Sequence, residues 1–324
     1  MSGLFSGIQA AMVINRVENS DKSVEDWNSD GDGSGCSTGL AGTPCFTSRL
    51  YVLKAASVIA QFSEFKRQLV SEIGFGGMLE LKSWQKINLK YSAYLMDRVD
   101  LDSCSLNLES QGVLDLVDKN INYVFGIPCG NLTIQDEGVE PSEACIEYTR
   151  VAASFGEKGT HNLKAAESIL LAPITEQSTE TEKHCFKIAF VIFIIGHVLA
   201  PTAKHDYISV DFWAALNDNL LQAVRKFKTD VSKRNPTIHI VGCHLFLQVF
   251  VLDNLELGLL NKQQGVTPRI GLYDYESMKK MVEQITVNIP GGEVTFSGGK
   301  SAQKLGILLR EQNARGLANI SEMR

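Results

Sequence analysis

From Leu50 onward the chain alternates apolar and polar positions at helical spacing, with Leu50, Leu53, Phe62, Phe65, Leu69 and Ile73 falling on one face. That periodicity predicts an amphipathic helix ending at the glycine cluster Gly74–Gly77. A second helix is expected over Leu89–Val99. The period then shortens to two. Leu106 and Leu108 alternate with polar residues, Ser110-Gln111-Gly112 supplies a turn, and Leu114 and Leu116 alternate again, which predicts a small β-hairpin near 105–117. Asp118 is placed to cap a short helix carrying Ile121, Val124 and Phe125, terminated by Gly126 and Pro128. Residues 131–182 are polar and weakly patterned, with one helix expected from about Asn162 to Leu171. The second half reads as helical at about 184–199, 209–229, 237–255 and 274–287, with Pro201, Pro236 and the Gly265–Pro268 stretch between them.

Two apolar runs set the character of the core. Phe186–Ala200 carries only Lys187 and His197 as polar breaks, and Ile238–Leu252 carries His239, His244 and Gln248. A membrane span needs about 20 apolar residues. Both runs are shorter and interrupted, so they are expected to be buried core helices and not spans.

Composition divides the chain of 324 residues into three parts. Residues 1–45 form a flexible acidic and Gly-rich segment. In it Glu18, Asp21, Glu25, Asp26, Asp30 and Asp32 face a single Lys22, followed by GDGSGCSTGLAGTP. Such a stretch buries little, and it reads as a solvated spacer, with an acidic interaction tail as the functional alternative. Residues 46–290 form the folded domain and 291–324 a polar C-terminal tail. The predicted class is mainly α (an α-rich α+β fold), one helical domain with a small β-hairpin.

Net charge is −6, which opposes whole-molecule attraction to nucleic acid or anionic membrane. The seven cysteines, Cys36, Cys45, Cys104, Cys129, Cys145, Cys185 and Cys243, are odd in number and irregularly spaced. They read as reduced thiols of an intracellular protein, nuclear or cytoplasmic. No secretory signal is recognisable; residues 1–17, with Arg16 and no acid, leave a mitochondrial address as a minor alternative.

No constellation of catalytic, cofactor or metal-binding residues can be assembled. The cluster Gly74-Phe75-Gly76-Gly77-Met78-Leu79 has Leu where a dinucleotide fingerprint needs its last Gly, and it follows a helix. A turn with a positive φ is the expected role. His239 and Cys243, four apart on the helix expected there, would share a face as metal ligands must, but their surroundings are apolar and core packing is the plainer account. Cys243 with His244 cannot form a nucleophile–base pair, because adjacent helical side chains diverge. Cys129, in a plausible loop, has no evident His partner and leaves a cryptic cysteine hydrolase as a remote alternative. Arg225, Lys226, Lys228, Lys233 and Arg234 make the one dense basic stretch and a possible basic surface. Phe227 alone interleaves, and its spacing turns it inward, so a solvated helix end is expected over a phosphate-tracking stripe.

In order along the chain, Gly74–Leu79, Tyr94-Leu95-Met96-Asp97-Arg98-Val99-Asp100 and Val124-Phe125-Gly126-Ile127-Pro128-Cys129-Gly130 resemble motifs of one helical module. So do the apolar helix leading into Leu199-Ala200-Pro201-Thr202, Ala223–Lys228, and Gly242–Gln248 followed by Leu252-Asp253. The module is that of grass-genome proteins described as plant mobile domain-like or "aminotransferase-like". These are often transposon-encoded and often fused to a SUMO-protease-like cysteine peptidase. The peptidase elements expected downstream are not recognisable here, nor is a transposase acidic triad. The resemblance therefore implies a plant source, mobile-element ancestry and the non-catalytic module alone. The function expected is binding, recruiting or sequestering a partner protein in a hetero-complex. A chromatin- or nucleic-acid-associated role is the alternative.

Overall fold

The computed structural model describes residues 44–108, 112–127, 142–155, 162–201, 216–288 and 294–296. It is helix-rich: ten α-helices and seven short strands occur among the described residues. The helices are α1 (Val52–Ile59), α2 (Glu64–Glu72), α3 (Leu89–Asp97), α4 (Asp118–Phe125), α5 (Glu143–Ala153) and α6 (Leu163–Leu171). There follow α7 (Glu180–Ile194), α8 (Leu216–Ser232), α9 (His244–Asn254) and α10 (Tyr275–Ile285). The strands are β1 (Cys45–Ser48), β2 (Val99–Asp100), β3 (Ser105–Asn107), β4 (Val113–Asp115), β5 (Thr237–Ile240), β6 (Thr286–Asn288) and β7 (Val294–Phe296).

Two helices without a polar face organise the interior. On α7 every residue from Cys185 to Ile194 is buried, and α5 and α6 pack along it. Its start is fixed by a capping box, in which Thr179 accepts from the Glu182 N–H and the Glu182 carboxylate accepts from the Thr179 N–H. Its last turn widens into a π-helical segment, Ile195–Leu199. On α9 every residue from His244 to Leu252 is buried, against α3, α4 and α10. Among the described residues no helix is long and apolar enough to cross a membrane, so the two apolar runs are core.

The period-2 segment forms the expected hairpin, β3 with β4, registered Ser105↔Asp115 to Asn107↔Val113, and β2 adds a third antiparallel strand. The helices expected near 89–99, 162–171 and 274–287 are present as α3, α6 and α10, each opened by a side-chain cap from Asn88, Asn162 and Asp274 respectively. Gly74 turns at φ 80°, the positive φ expected of the glycine cluster.

Several expectations need correction. The helix expected over Leu50–Ile73 is two helices, because Phe62 turns into the core and Ser63 starts a new N-cap on the Lys66 N–H. Asp118 is the first helical residue of α4 and Val117 the cap position, so its carboxylate acts on the helix dipole and not as the cap. The helix expected over 237–255 is a strand, a turn at Gly242 (φ 76°) and then α9. Thr237–Ile240 alternates exposed and buried and pairs in parallel with β1, Cys45↔Thr237 to Ser48↔Ile240. Helix α5 and the β6–β7 hairpin were not expected. Phe296 of that hairpin packs on Tyr91 and Tyr94 of α3, which carries the core past residue 290. Cys129, the acidic segment, the start of the helix expected from 209 and most of the C-terminal tail lie outside the described residues.

Candidate functional site

The β5-to-α9 turn separates the suspected Cys–His residues, burying Cys243 and His244 and leaving His239 exposed. His239 is on a strand and Cys243 precedes α9, so the shared helical face expected for them does not exist. His239 instead meets Thr47 Oγ1 of β1, its cross-strand partner, through Nδ1. His244 is fully buried and both ring nitrogens are occupied: Nε2 lies 2.7 Å from Ser48 Oγ and Nδ1 lies 2.8 Å from Ser92 Oγ on α3. Gln248, one helical turn on, donates from Nε2 to Ser92 Oγ (2.7 Å) and to the Asn88 carbonyl (2.7 Å).

In one assignment that satisfies these atoms, Ser92 accepts from Gln248 and gives its proton to Nδ1, and the imidazole proton sits on Nε2 and points at Ser48. The Ser48–His244 pair has a nucleophile–base outline, yet in that tautomer Ser48 receives a proton and does not give one up. Burial pushes the imidazole down to about 3 and the Cys243 thiol up to about 12. Neither is poised for proton transfer or thiolate attack near neutral pH. The network joins β1, α3 and α9. The HxxxQ spacing of His244 and Gln248 was its one local signal; Ser48 and Ser92 lie far away in sequence.

A second network lies at the other end of α9. Asp253 accepts from Arg269 Nε (2.9 and 3.0 Å) and Nη2 (2.5 Å), from Tyr123 Oη (2.8 Å) and from Tyr273 Oη (2.6 Å). Arg269 Nη1 donates to the carbonyls of Gln263 and Val266, and both charged side chains are about as buried as core leucines, at 2% and 3% exposure. Desolvation and the Asp253 charge push both tyrosines up, Tyr123 and Tyr273 alike. The pair is charge-matched and each of its nitrogens and carboxylate oxygens has a hydrogen-bond partner, which is what keeps a buried ion pair tolerable. Two glycine motifs meet beside it: a Cβ on Gly77 would lie 2.2 Å from the Phe125 carbonyl, and one on Gly126 would lie 3.1 Å from Pro268. At both glycines a neighbouring segment approaches too closely to leave ordinary room for a Cβ.

The basic stretch occupies the C-terminal half of α8 (Arg225, Lys226, Lys228) and the turn after it (Lys233, Arg234). Phe227 is buried, as its spacing predicts, and lies 6.3 Å from Phe46. Lys226 pairs with Asp230 (2.6 Å), and Lys228 reaches the Val99 carbonyl (2.7 Å). Arg225, Lys233 and Arg234 are exposed and have no ion-pair partner among the described residues. The helix ends in a Schellman arrangement, Arg234 N–H to the Val231 carbonyl and Asn235 N–H to the Asp230 carbonyl. Arg234 fills the left-handed position at φ 54°, where glycine is usual.

Cys104, Cys185 and Cys243 are free thiols. Among the described residues no group of three or more His, Cys, Asp or Glu could hold a metal ion. What the geometry defines is a helix-rich domain with two buried polar networks, around His244 and around Asp253–Arg269, and an exposed basic turn at the end of α8. The chain belongs to the Domain of unknown function family DUF8566, whose profile matches residues 48–248, more than half of its length. Neither a curated protein nor a solved structure matches it. The matched span opens on Ser48 and closes on Gln248, both members of the His244 network.

Proposed function

We propose that this chain is a non-enzymatic interaction module of mobile-element ancestry that binds, recruits or sequesters another protein. The observation that carries this reading is the state of the Cys243–His244 pair. The two residue types best suited to nucleophilic chemistry sit side by side in the core, the imidazole held neutral and the thiol held protonated by desolvation. Chemistry at neutral pH asks for the opposite shifts. The resemblance to the plant mobile domain-like module, which is the non-catalytic part of its host proteins, supports the same reading. The test is site-resolved alkylation of the native protein with iodoacetamide at pH 7. Cys145, Cys185 and Cys243 should react only after unfolding, and Cys243→Ala should capture the same protein partner from plant tissue as the parent chain. A single thiol alkylated far faster than a free cysteine peptide would overturn the reading in favour of a hydrolase.

A nuclear, nucleic-acid-associated role is favoured by one observation, the exposed trio Arg225, Lys233 and Arg234. It would require retention on duplex DNA that falls steeply with salt and is lost when the three are replaced by Ser.

A further inference from the structure

We infer that the acidic N-terminal segment folds back onto the basic end of α8, so that Arg225, Lys233 and Arg234 are the docking surface for carboxylates of this chain's own residues 18–32. The inference is independent of the interaction-module reading. It rests on where the chain enters the fold. The N–H of Cys45, the first residue of β1, donates to the Pro236 carbonyl (2.9 Å), and Cys45 sits opposite Thr237 in the register. Pro236 follows Arg234 by two residues. The point at which the N-terminal segment joins the domain is therefore fixed beside the last residues of α8.

Charge supplies the second half. Glu18, Asp21, Glu25, Asp26, Asp30 and Asp32, against Lys22, carry nearly all of the chain's net charge of −6, so the remainder of the molecule is close to neutral. The α8 cations that would answer them are of two kinds. Lys226 and Lys228 already have partners within the domain, whereas Arg225, Lys233 and Arg234 are exposed and have none among the described residues. Distance allows the match. Arg225 and Arg234 are separated by about 13 Å along the helix at 1.5 Å per residue. From Asp32 to Pro44 is a Gly/Ser-rich stretch of about twelve residues, which at about 3.3–3.6 Å per residue can reach at most about 40 Å. Covalent linkage within that reach makes the encounter intramolecular, so that individually weak surface pairs can act together. Tethering also explains how a cationic surface can coexist with an acidic segment in one chain: the segment competes with any outside polyanion for the same residues.

The test is zero-length carbodiimide coupling of the full chain at low salt, with the joined peptides identified by mass spectrometry. Lys233 should be joined to carboxylates of residues 18–32, with a yield unchanged by dilution. The yield should fall several-fold as salt shortens the screening length from about 30 Å at 0.01 M to about 3 Å at 1 M. It should also fall several-fold in the Arg225→Ser, Arg234→Ser double variant, whose substitutions are on the surface and leave Lys233 and the segment intact. Coupling spread evenly over lysines elsewhere, such as Lys54, Lys119 and Lys279, would overturn the inference. So would coupling that vanishes on dilution, or none at all.

Discussion

His244 is placed where protonation is costly, and that has a consequence for stability that a surface histidine would not have. Its neutral ring is fully used by Ser48 and Ser92, and an imidazolium there would be a desolvated charge facing two hydroxyls. The folded-state pKa lies near 3 against an ordinary 6.5, so the unfolded chain binds this proton first as pH falls. Stability from this group is complete above pH 6.5 and is lost on acidification toward 3. Within that window the slope is about 1.4 kcal/mol per pH unit for one proton. His184 is shifted down as well, by burial and by the neighbouring Lys187, and adds in the same direction. Carboxylates held below their usual range, such as Glu72 by Lys187 and Asp274 by the Ser277 N–H, contribute only at lower pH. Urea unfolding at pH 7.0, 6.0 and 5.0 should show stability falling with acid in the parent chain. The fall should shrink by about one proton's worth in His244→Gln. An unchanged slope in that variant would mean that water reaches the ring.

At the scale of elements, close backbone approach decides more than side-chain chemistry does. Gly77 abuts the α4 C-terminus so tightly that an added methyl would lie 2.2 Å from the Phe125 carbonyl and 2.9 Å from the Gly126 Cα, backbone atoms that cannot swing aside. At Gly76, one residue earlier, the nearest atom is the Ser71 hydroxyl at 3.1 Å, which can rotate. Gly77→Ala should therefore cost about 1–3 kcal/mol or more, the range of overpacked cores, and Gly76→Ala much less. Equal denaturation midpoints for the two variants would show that the junction yields. The glycine cluster was readable as a turn from the sequence alone, but its packing partner, some fifty residues on, was not. The same limit runs through the fold. Helices with a full 3.6 period and a cap, such as α3, α6 and α10, were legible because their signals are local. Strand β5 was not, because Ile238–Leu252 is mostly apolar with only His239, His244 and Gln248 as breaks, and such a run does not distinguish a strand leading into a helix from a single helix. Its pairing with β1 spans nearly the whole domain. Of the residues singled out, Cys243 and His244 are buried whereas His239 is exposed on β5, and Ser48, Ser92 and Arg269 became visible only with the tertiary contacts.

For the whole molecule, the family-matched span 48–248 and the cooperative unit do not coincide. That span keeps only the last residue of β1 and cuts α9 in its middle, removing Asp253 together with Arg269 and Tyr273. It would leave the core flank of α9, including Val249 to Leu252, without a chain, and would delete α10, whose Met278, Met281, Val282 and Ile285 are buried. Loss of a buried, charge-matched pair with its tyrosine donors, added to truncated apolar contacts worth about 1.5–3 kcal/mol per large side chain, exceeds a typical stability of about 5–15 kcal/mol. A fragment of residues 48–248 should accordingly show no cooperative urea transition by circular dichroism. A fragment of residues 44–296, which retains β1, all of α9, the Asp253–Arg269 pair and the Phe296 contact on α3, should unfold in one transition. Within this larger unit Asp253→Asn should be far more damaging than any surface charge change. It leaves Arg269 buried without its counter-ion, a loss on the order of 3–5 kcal/mol. A cooperative transition in the 48–248 fragment would place the folding unit inside the matched span and make the Asp253–Arg269 corner an attachment to it, not a part of its core.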